Sequence, residues 1–400
     1  MPKTDFDVVI VGGGLVGLAL ARALADTALE VAIVEREALA QRPSDDWDAR
    51  VYAISPGSEA YLSSLGAWPQ RPQRMAPVER MRIFGDRTGS KLEFDAYHAH
   101  VARLATIVEN RELVSALLHA LQVAGKTERL SAEQCEAVAF APDAATLQLK
   151  SGKSVRARLL VGADGADSWL RTQAGIVASE IEYGQTAIVA NFTCTVPHRD
   201  TAFQWFREDG VLALLPLPED RVSMVWSARD DLAERLFGLP GEELAREVSA
   251  ASFDLLGALR LITPPSRFPL RCIRVQRLIA PRLALVGDAA HNLHPLAGQG
   301  VNLGFQDARD LSRVLLARGP ERDVGALSLL RRYERARRED ILVMTAATHG
   351  LQRLFNQSGT PLAWMRNLGL NLTDRLLPLK SLLVRRALGS PIYHDCGPKC

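Results

Sequence analysis

The chain of 400 residues is poor in cysteine, and its five (Cys135, Cys194, Cys272, Cys396 and Cys400) include no CxxC pair. A disulfide framework or a structural zinc site is therefore not expected, and a reducing compartment fits better. The sequence lacks any apolar run of 18 residues, so no segment is expected to span a membrane. It has no excess of charge of one sign. The 48 basic and 46 acidic side chains leave +2, which excludes a strongly basic nucleic-acid binder and an acidic disordered chain. There is no G-x-S-x-G nucleophile elbow and no Walker A string. His291 and His294 stand three apart without a third ligand at matching spacing, so no metal is expected. Lys3, Asp5 and Asp7 precede an apolar stretch broken by Gly12 to Gly14. No signal peptide is expected, and the expected location is cytoplasmic.

What is present reads as an ordinary globular protein: 47% of residues are hydrophobic and 24% charged, over a length suited to two or three domains. Residues 7–11 (DVVIV) form an apolar, β-branched run that predicts a buried parallel strand. A glycine turn, a helix beginning LVGLALARALAD and a second strand at 30–34 follow within the length of one βαβ unit. Residues 107–123 predict an amphipathic helix with an extended entry, and 155–162 a strand. Residues 186–228 change character, with short strand-like runs between turns, and predict an antiparallel sheet in a second domain. Residues 282–287 return to the buried-strand pattern. Helices are expected over 300–317 and 325–355, the latter carrying RRYERARRED as a solvated charged face.

Gly12, Gly14 and Gly17 match G-x-G-x-x-G between a strand and a helix, and Glu35 stands 23 positions after Gly12 at the end of the next strand. The first glycine permits the tight turn, the second lets the backbone approach a pyrophosphate, and the third lets helix and strand pack closely. The helix N-terminus offers free amides and a positive dipole end to that anion. An acidic residue at position 35 accepts from ribose hydroxyls and disfavours a 2′-phosphate there. This pattern points to a bound adenine dinucleotide and leaves FAD and NAD open.

Two further segments separate them. Residues 161–168 (VGADGADS) resemble the Asp-Gly fingerprint of class A flavoprotein monooxygenases. Residues 285–291 (LVGDAAH) resemble their second FAD fingerprint. The continuation 294–307 (HPLAGQGVNLGFQD) is similar to the signature of the ubiquinone-biosynthesis aromatic hydroxylases, a branch of the para-hydroxybenzoate hydroxylase fold. The three fingerprints keep the family's order and spacing over nearly the whole chain. The six tryptophans include no Trp-x-Trp pair, unlike the related flavin halogenases.

The resemblance implies an α/β chain: a Rossmann-like FAD-binding domain, an inserted and mostly antiparallel β-sheet substrate domain, and a C-terminal helical region. The FAD-binding domain would be discontinuous (1–75, 101–180 and 268–345), the substrate domain would comprise 76–100 and 181–267, and 346–400 would be the helical segment. FAD is the implied cofactor and NAD(P)H the co-substrate. The implied reaction is the hydroxylation by O2 of the aromatic ring of a polyprenyl phenol in ubiquinone biosynthesis. Another FAD oxidoreductase of the same fold, a different phenol hydroxylase or an isoprenoid reductase, is the alternative.

The family assigns roles by position. Gly12, Gly14, Gly17 and Glu35 would hold the dinucleotide. Arg50 would lie near the flavin, and Asn110 occupies the place of a longer polar residue that touches FAD. Asp164 would serve FAD and nicotinamide binding, and Asp288 the ribityl chain. Gly298, Gln299, Gly300, Val301 and Asn302 would flank the flavin ring, and the carbonyl of Pro295 would meet a substrate hydroxyl. The strands at 201–207 and 211–217, with Phe203, Trp205, Leu212 and Leu214, are read either as the floor of the substrate pocket or as ordinary sheet core. The tail 351–400 holds seven Lys or Arg against two Asp. Its leucine-rich stretch 375–388 suits a peripheral contact with the inner face of the membrane, a partner in a multi-enzyme complex, or a packed helix.

Overall fold

The structure, a computed structural model, describes residues 4–38, 44–85, 91–292, 300–319 and 321–356. The β-branched strand Phe6–Val11 lies at the heart of an eight-stranded sheet. It pairs in parallel with Val31–Glu35 on one side and Ser154–Gly162 on the other. The sheet continues in parallel to Glu128–Ser131 and to Leu283–Leu285. Cys135–Phe140 and Ala145–Leu149 are added to it antiparallel through Ser154–Gly162. The helix Leu15–Ala25 buries all but a few of its residues because alanine and leucine leave it no wide polar face. It packs beside the helices Asn110–Ala124 and Gly300–Leu316 in one large core.

A nine-stranded, mostly antiparallel sheet forms the second layer, built around the 17-residue strand Ala178–Cys194. Its other long strands are Thr201–Arg207, Gly210–Leu217, Arg221–Arg229 and Ser266–Val275. Arg80–Phe84 joins it in parallel beside Thr201–Arg207. Residues 178–180 and 268–275, placed above with the cofactor domain, are hydrogen-bonded within this sheet. A small three-stranded sheet of Val51–Ile54, Ala105–Glu109 and Met75–Val78 lies between the two layers. Its Ile107 and Val78 pack with Ala202 and Leu217 of the larger sheet.

Alternation along the strands assigns the faces of the nine-stranded sheet. Phe203, Trp205, Leu212 and Leu214 point with Phe192, Met224 and Trp226 toward the helices Asp230–Phe237 and Gly241–Ala251. These four residues are the core under that helix layer, as the second of the two readings had it. Each such side chain contributes about 1.5–3 kcal/mol on burial. Ala202, Gln204, Phe206, Ala213 and Leu215 therefore occupy the opposite face, which Ala202 turns toward the three-stranded sheet.

The helix Leu327–Asn356 keeps most of RRYERARRED exposed, as expected, but turns two of its residues inward. Tyr333 and Arg337 are fully buried. The Tyr333 hydroxyl donates to the Leu285 carbonyl at 2.7 Å, and the Leu278 N–H donates to Glu334 at 2.9 Å. Of the tail, the structure describes a helix that continues to Asn356, and residues 357–400 lie outside the described residues.

Candidate cofactor and active site

The glycine turn has a physical reason at each glycine. Gly12 has φ +111°, and a Cβ there would lie 2.2 Å from the Ala163 carbonyl oxygen. A Cβ at Gly17 would lie 2.0 Å from the Gly12 carbonyl oxygen. These two positions are closed by the protein itself. At Gly14, which caps the helix Leu15–Ala25, a Cβ would meet no atom within 4 Å, and no side chain caps the helix. The helix start is thus open to approach at Gly14, as an anion at a helix N-terminus requires. The Glu35 carboxylate reaches back to this turn and accepts the Gly13 N–H at 2.6 Å and the Glu37 N–H at 3.1 Å.

The Gly287–Ala289 turn lies against the same helix start: a Cβ on Gly287 (φ +60°) would be 3.1 Å from Val16. Asp288 follows and is exposed at the surface of a densely packed neighbourhood. That enclosure pushes its carboxyl up from the usual range, against the opposing charges of His291 and Arg50. The Arg50 guanidinium lies 5.4 Å from the centre of the Tyr52 ring. Its loop is held by Asp48, whose carboxylate accepts the Arg50 N–H at 3.0 Å and the Arg111 N–H at 3.2 Å. The Asp48 N–H donates to Glu109 at 2.6 Å, and its carbonyl accepts from Asn191 of the nine-stranded sheet at 2.8 Å. Asn110 donates its backbone N–H to the Arg50 carbonyl at 2.9 Å. One knot thus joins the Arg50 loop, the start of the helix Asn110–Ala124 and the second layer.

Asp164 and Asn302 face the protein with their side chains. Asp164 accepts the Ser168 hydroxyl at 2.5 Å and the Leu170 N–H at 3.0 Å. Burial pushes its carboxyl up, and these bonds partly offset that. The Asn302 amide donates to the Ala53 carbonyl at 2.8 Å and accepts the Ser55 N–H at 2.9 Å, pinning the helix Gly300–Leu316 to the small sheet. Gly300 opens that helix, and Val301 packs against the main core. Pro295, Gly298 and Gln299 lie outside the described residues.

Sequence reasoning missed three residues that fix the site. Asp307, fully buried, accepts the Gly287 N–H at 2.9 Å and lies 2.6 Å from Nε2 of His291 through one oxygen. Its other oxygen accepts from Arg337 at 2.7 Å. Burial favours the neutral acid at Asp307, but the charges of His291 and Arg337 outweigh it and hold the carboxyl below its usual range. Arg171 donates to the Ala166 and Ala289 carbonyls at 2.8 and 3.0 Å, tying the Asp164 turn to the Asp288 turn. Asp307 stood inside the recognised signature. Nothing local distinguished Arg337 or Arg171 from surface arginines. Among the described residues no group of three or more His, Cys, Asp or Glu could hold a metal.

These elements place the glycine turn, the Asp288 turn and the Arg50 loop around one helix start, the arrangement of a flavoprotein. The FAD binding domain family matches residues 5–347. The ubiquinone hydroxylase UbiL of Rhodospirillum rubrum is 37% identical over 385 residues, covering 96% of this chain and 90% of that one. The 3-demethoxyubiquinol 3-hydroxylase of Escherichia coli is 35% identical over 394 residues, covering 97% of this chain and all of that one. The crystal structure of p-nitrophenol 4-monooxygenase PnpA from Pseudomonas putida shares the fold, with a TM-score of 0.78 at 19% identity over 98% of this chain and all of that one. The chain belongs to the FAD binding domain family, among the ubiquinone-biosynthesis hydroxylases. It is an FAD-dependent monooxygenase.

The residues present fit FAD. The open approach at Gly14 admits a pyrophosphate, Glu35 stands where an adenosine ribose would end, and Asp288 presents a carboxyl beside the helix start.

Proposed function

We propose that this chain hydroxylates the aromatic ring of a polyprenyl phenol in ubiquinone biosynthesis, with NAD(P)H and O2 as co-substrates. The observation that carries this reading is that the turn bearing Asp288 packs on the start of the helix after Gly14, with Arg50 acting on Asp288 and the Arg50 loop bonded to the antiparallel sheet. The names of the relatives support the substrate class.

FAD, when bound, supplies the transfer of electrons from NAD(P)H to O2 and the delivery of oxygen to the ring. The chain's own residues position it. First-turn amides after Gly14 would hold the pyrophosphate, Glu35 would accept from the adenosine ribose, and the Asp288 carboxylate would accept from the ribityl hydroxyls. Arg50 balances negative charge near Asp288. The start of the helix Gly300–Leu316 would offer a positive dipole end to the flavin. The antiparallel sheet over the cofactor layer would help keep water from the reacting centre.

Among the described residues no helix is long and apolar enough to cross a membrane. We assign the delivery of a bilayer-borne substrate to a peripheral contact made by the basic tail. Liposome binding that is unchanged on removal of residues 357–400 would reject that role.

A strain lacking the gene tests the main reading. Its lipid extract is expected to accumulate a quinone precursor that lacks one ring hydroxyl. Intact quinone in that extract would point to a different phenol.

A further inference from the structure

Over its central strands the inner face of the nine-stranded sheet is more open than the outer face. On the central strands Gly210–Leu217 and Arg221–Arg229, the outward Leu212, Leu214, Met224 and Trp226 are fully buried under helices. On the same strands the inward Ala213, Leu215 and Val225 keep accessible surface. A central strand exposes side chains only where nothing is packed on it. This face is turned to the FAD-binding layer, because Ala202 and Leu215 pack with Ile107 and Ala53, and Asn191 bonds the Asp48 carbonyl. The opening is therefore an apolar groove between the sheet and the cofactor layer.

One row of cross-strand neighbours runs along the groove: Val189, Val225, Ala213, Gln204 and Ile83. Four members of that row are apolar, and Gln204 is not. Gln204 is largely buried, yet its amide has no hydrogen-bond partner among the described residues. Its polar atoms are not sealed in, unlike Asn191 Oδ1 and Ser223 Oγ one row away, which are enclosed and unpartnered. An amide that keeps accessible surface and has no partner among the described residues can be reached by a ligand and hydrogen-bond to it. An amide both donates and accepts, so it can serve a phenol hydroxyl in either sense.

We propose that Gln204 is the group that recognises the ring oxygen of the substrate, with Ala213, Leu215 and Val225 forming the apolar bed under the ring. The small Ala213 beside Gln204 leaves room for the ring. The inference rests on the phenol reading above and adds the residue that selects for the oxygen. Sites built to bond a hydroxyl reject analogues without it more strongly than apolar pockets reject a change of size.

The test uses the FAD-loaded full chain and reads binding from the perturbation of flavin absorbance by 2-prenylphenol and by prenylbenzene. The wild type is expected to bind the phenol about 10-fold more tightly or better, the scale of one buried hydrogen bond. In Gln204→Met, of similar length and without the amide, that ratio should fall to near one while FAD content and prenylbenzene affinity stay unchanged. Gln204→Asn, which keeps the amide on a shorter arm, should fall between them. A ratio that persists in Gln204→Met overturns the inference and leaves the phenol reading standing. Loss of FAD from both variants also overturns it, by making Gln204 part of the scaffold. If neither ligand perturbs the wild-type flavin, the phenol reading fails and the inference with it.

Discussion

Nε2 of His291 lies 2.6 Å from Oδ2 of Asp307, and that oxygen also accepts the N–H of Gly287. The turn that presents Asp288 is thus fastened to a carboxylate 20 residues later on the helix Gly300–Leu316. Arg337, from the next helix, neutralises the same carboxylate. Three elements distant in sequence converge on one fully buried charge.

Asp307→Asn is expected to destabilise the protein by about 1–3 kcal/mol, because the buried Arg337 loses its shortest ion pair while Asp340 and Asp310 still face it. The folded-state pKa of Asp307 is depressed. Its stabilisation is therefore present above the unfolded carboxyl value and is lost as pH falls through the folded one. Urea midpoints measured across acidic pH should fall in the wild type and fall less in Asp307→Asn.

Gly14→Val and Gly17→Val should separate binding from folding. Nothing stands within 4 Å of a Cβ at Gly14, so the variant should keep wild-type stability and lose FAD. At Gly17 the Cβ would strike the Gly12 carbonyl, so that variant should lose about 1–3 kcal/mol of stability. Flavin absorbance per chain and thermal melting of the apo protein read the two effects. Full flavin content in Gly14→Val would contradict the placement of the pyrophosphate.

Asp288 makes FAD affinity depend on pH. Its carboxyl is raised by enclosure, so the proton returns at a higher pH than in an exposed aspartate. The ionised form is the stronger acceptor for hydroxyl groups. Affinity measured by flavin titration should weaken as pH falls toward that raised value. Asp288→Asn should bind FAD more weakly at neutral pH and show no such dependence.

Asn302→Ala should act on the scaffold first. Its amide closes two bonds, to Ala53 and Ser55. Their loss in a fully buried position should cost about 1–3 kcal/mol in the apo protein. Unfolding of flavin-free samples measures this without any contribution from the cofactor. An unchanged apo midpoint would assign Asn302 to the cofactor instead.

The first βαβ unit was legible because each local rule agrees there: β-branched strand, glycine turn, apolar helix, acidic strand end. The helix Asn110–Ala124 and the antiparallel sheet were legible from periodicity alone. Periodicity gives the alternation of a strand but not which side meets the helices. Phe203 and Trp205 were therefore visible as one face, and only packing showed that Gln204 and Ala213 hold the other. Arg337 was hidden for a related reason. Within RRYERARRED every arginine looks solvated, and its burial depends on Asp307, 30 residues earlier. Asp164 shows the reverse case: its Asp-Gly motif was plain, but its side chain caps Ser168 and Leu170.

The most direct test mixes the FAD-loaded protein with NADH or NADPH, 2-prenylphenol and isotopically heavy O2, and follows both NAD(P)H oxidation and product mass. The account predicts a product one heavy oxygen atom richer, formed in step with NAD(P)H oxidation. NAD(P)H oxidation that yields no oxygenated ring, or a protein that cannot be loaded with FAD, would contradict it.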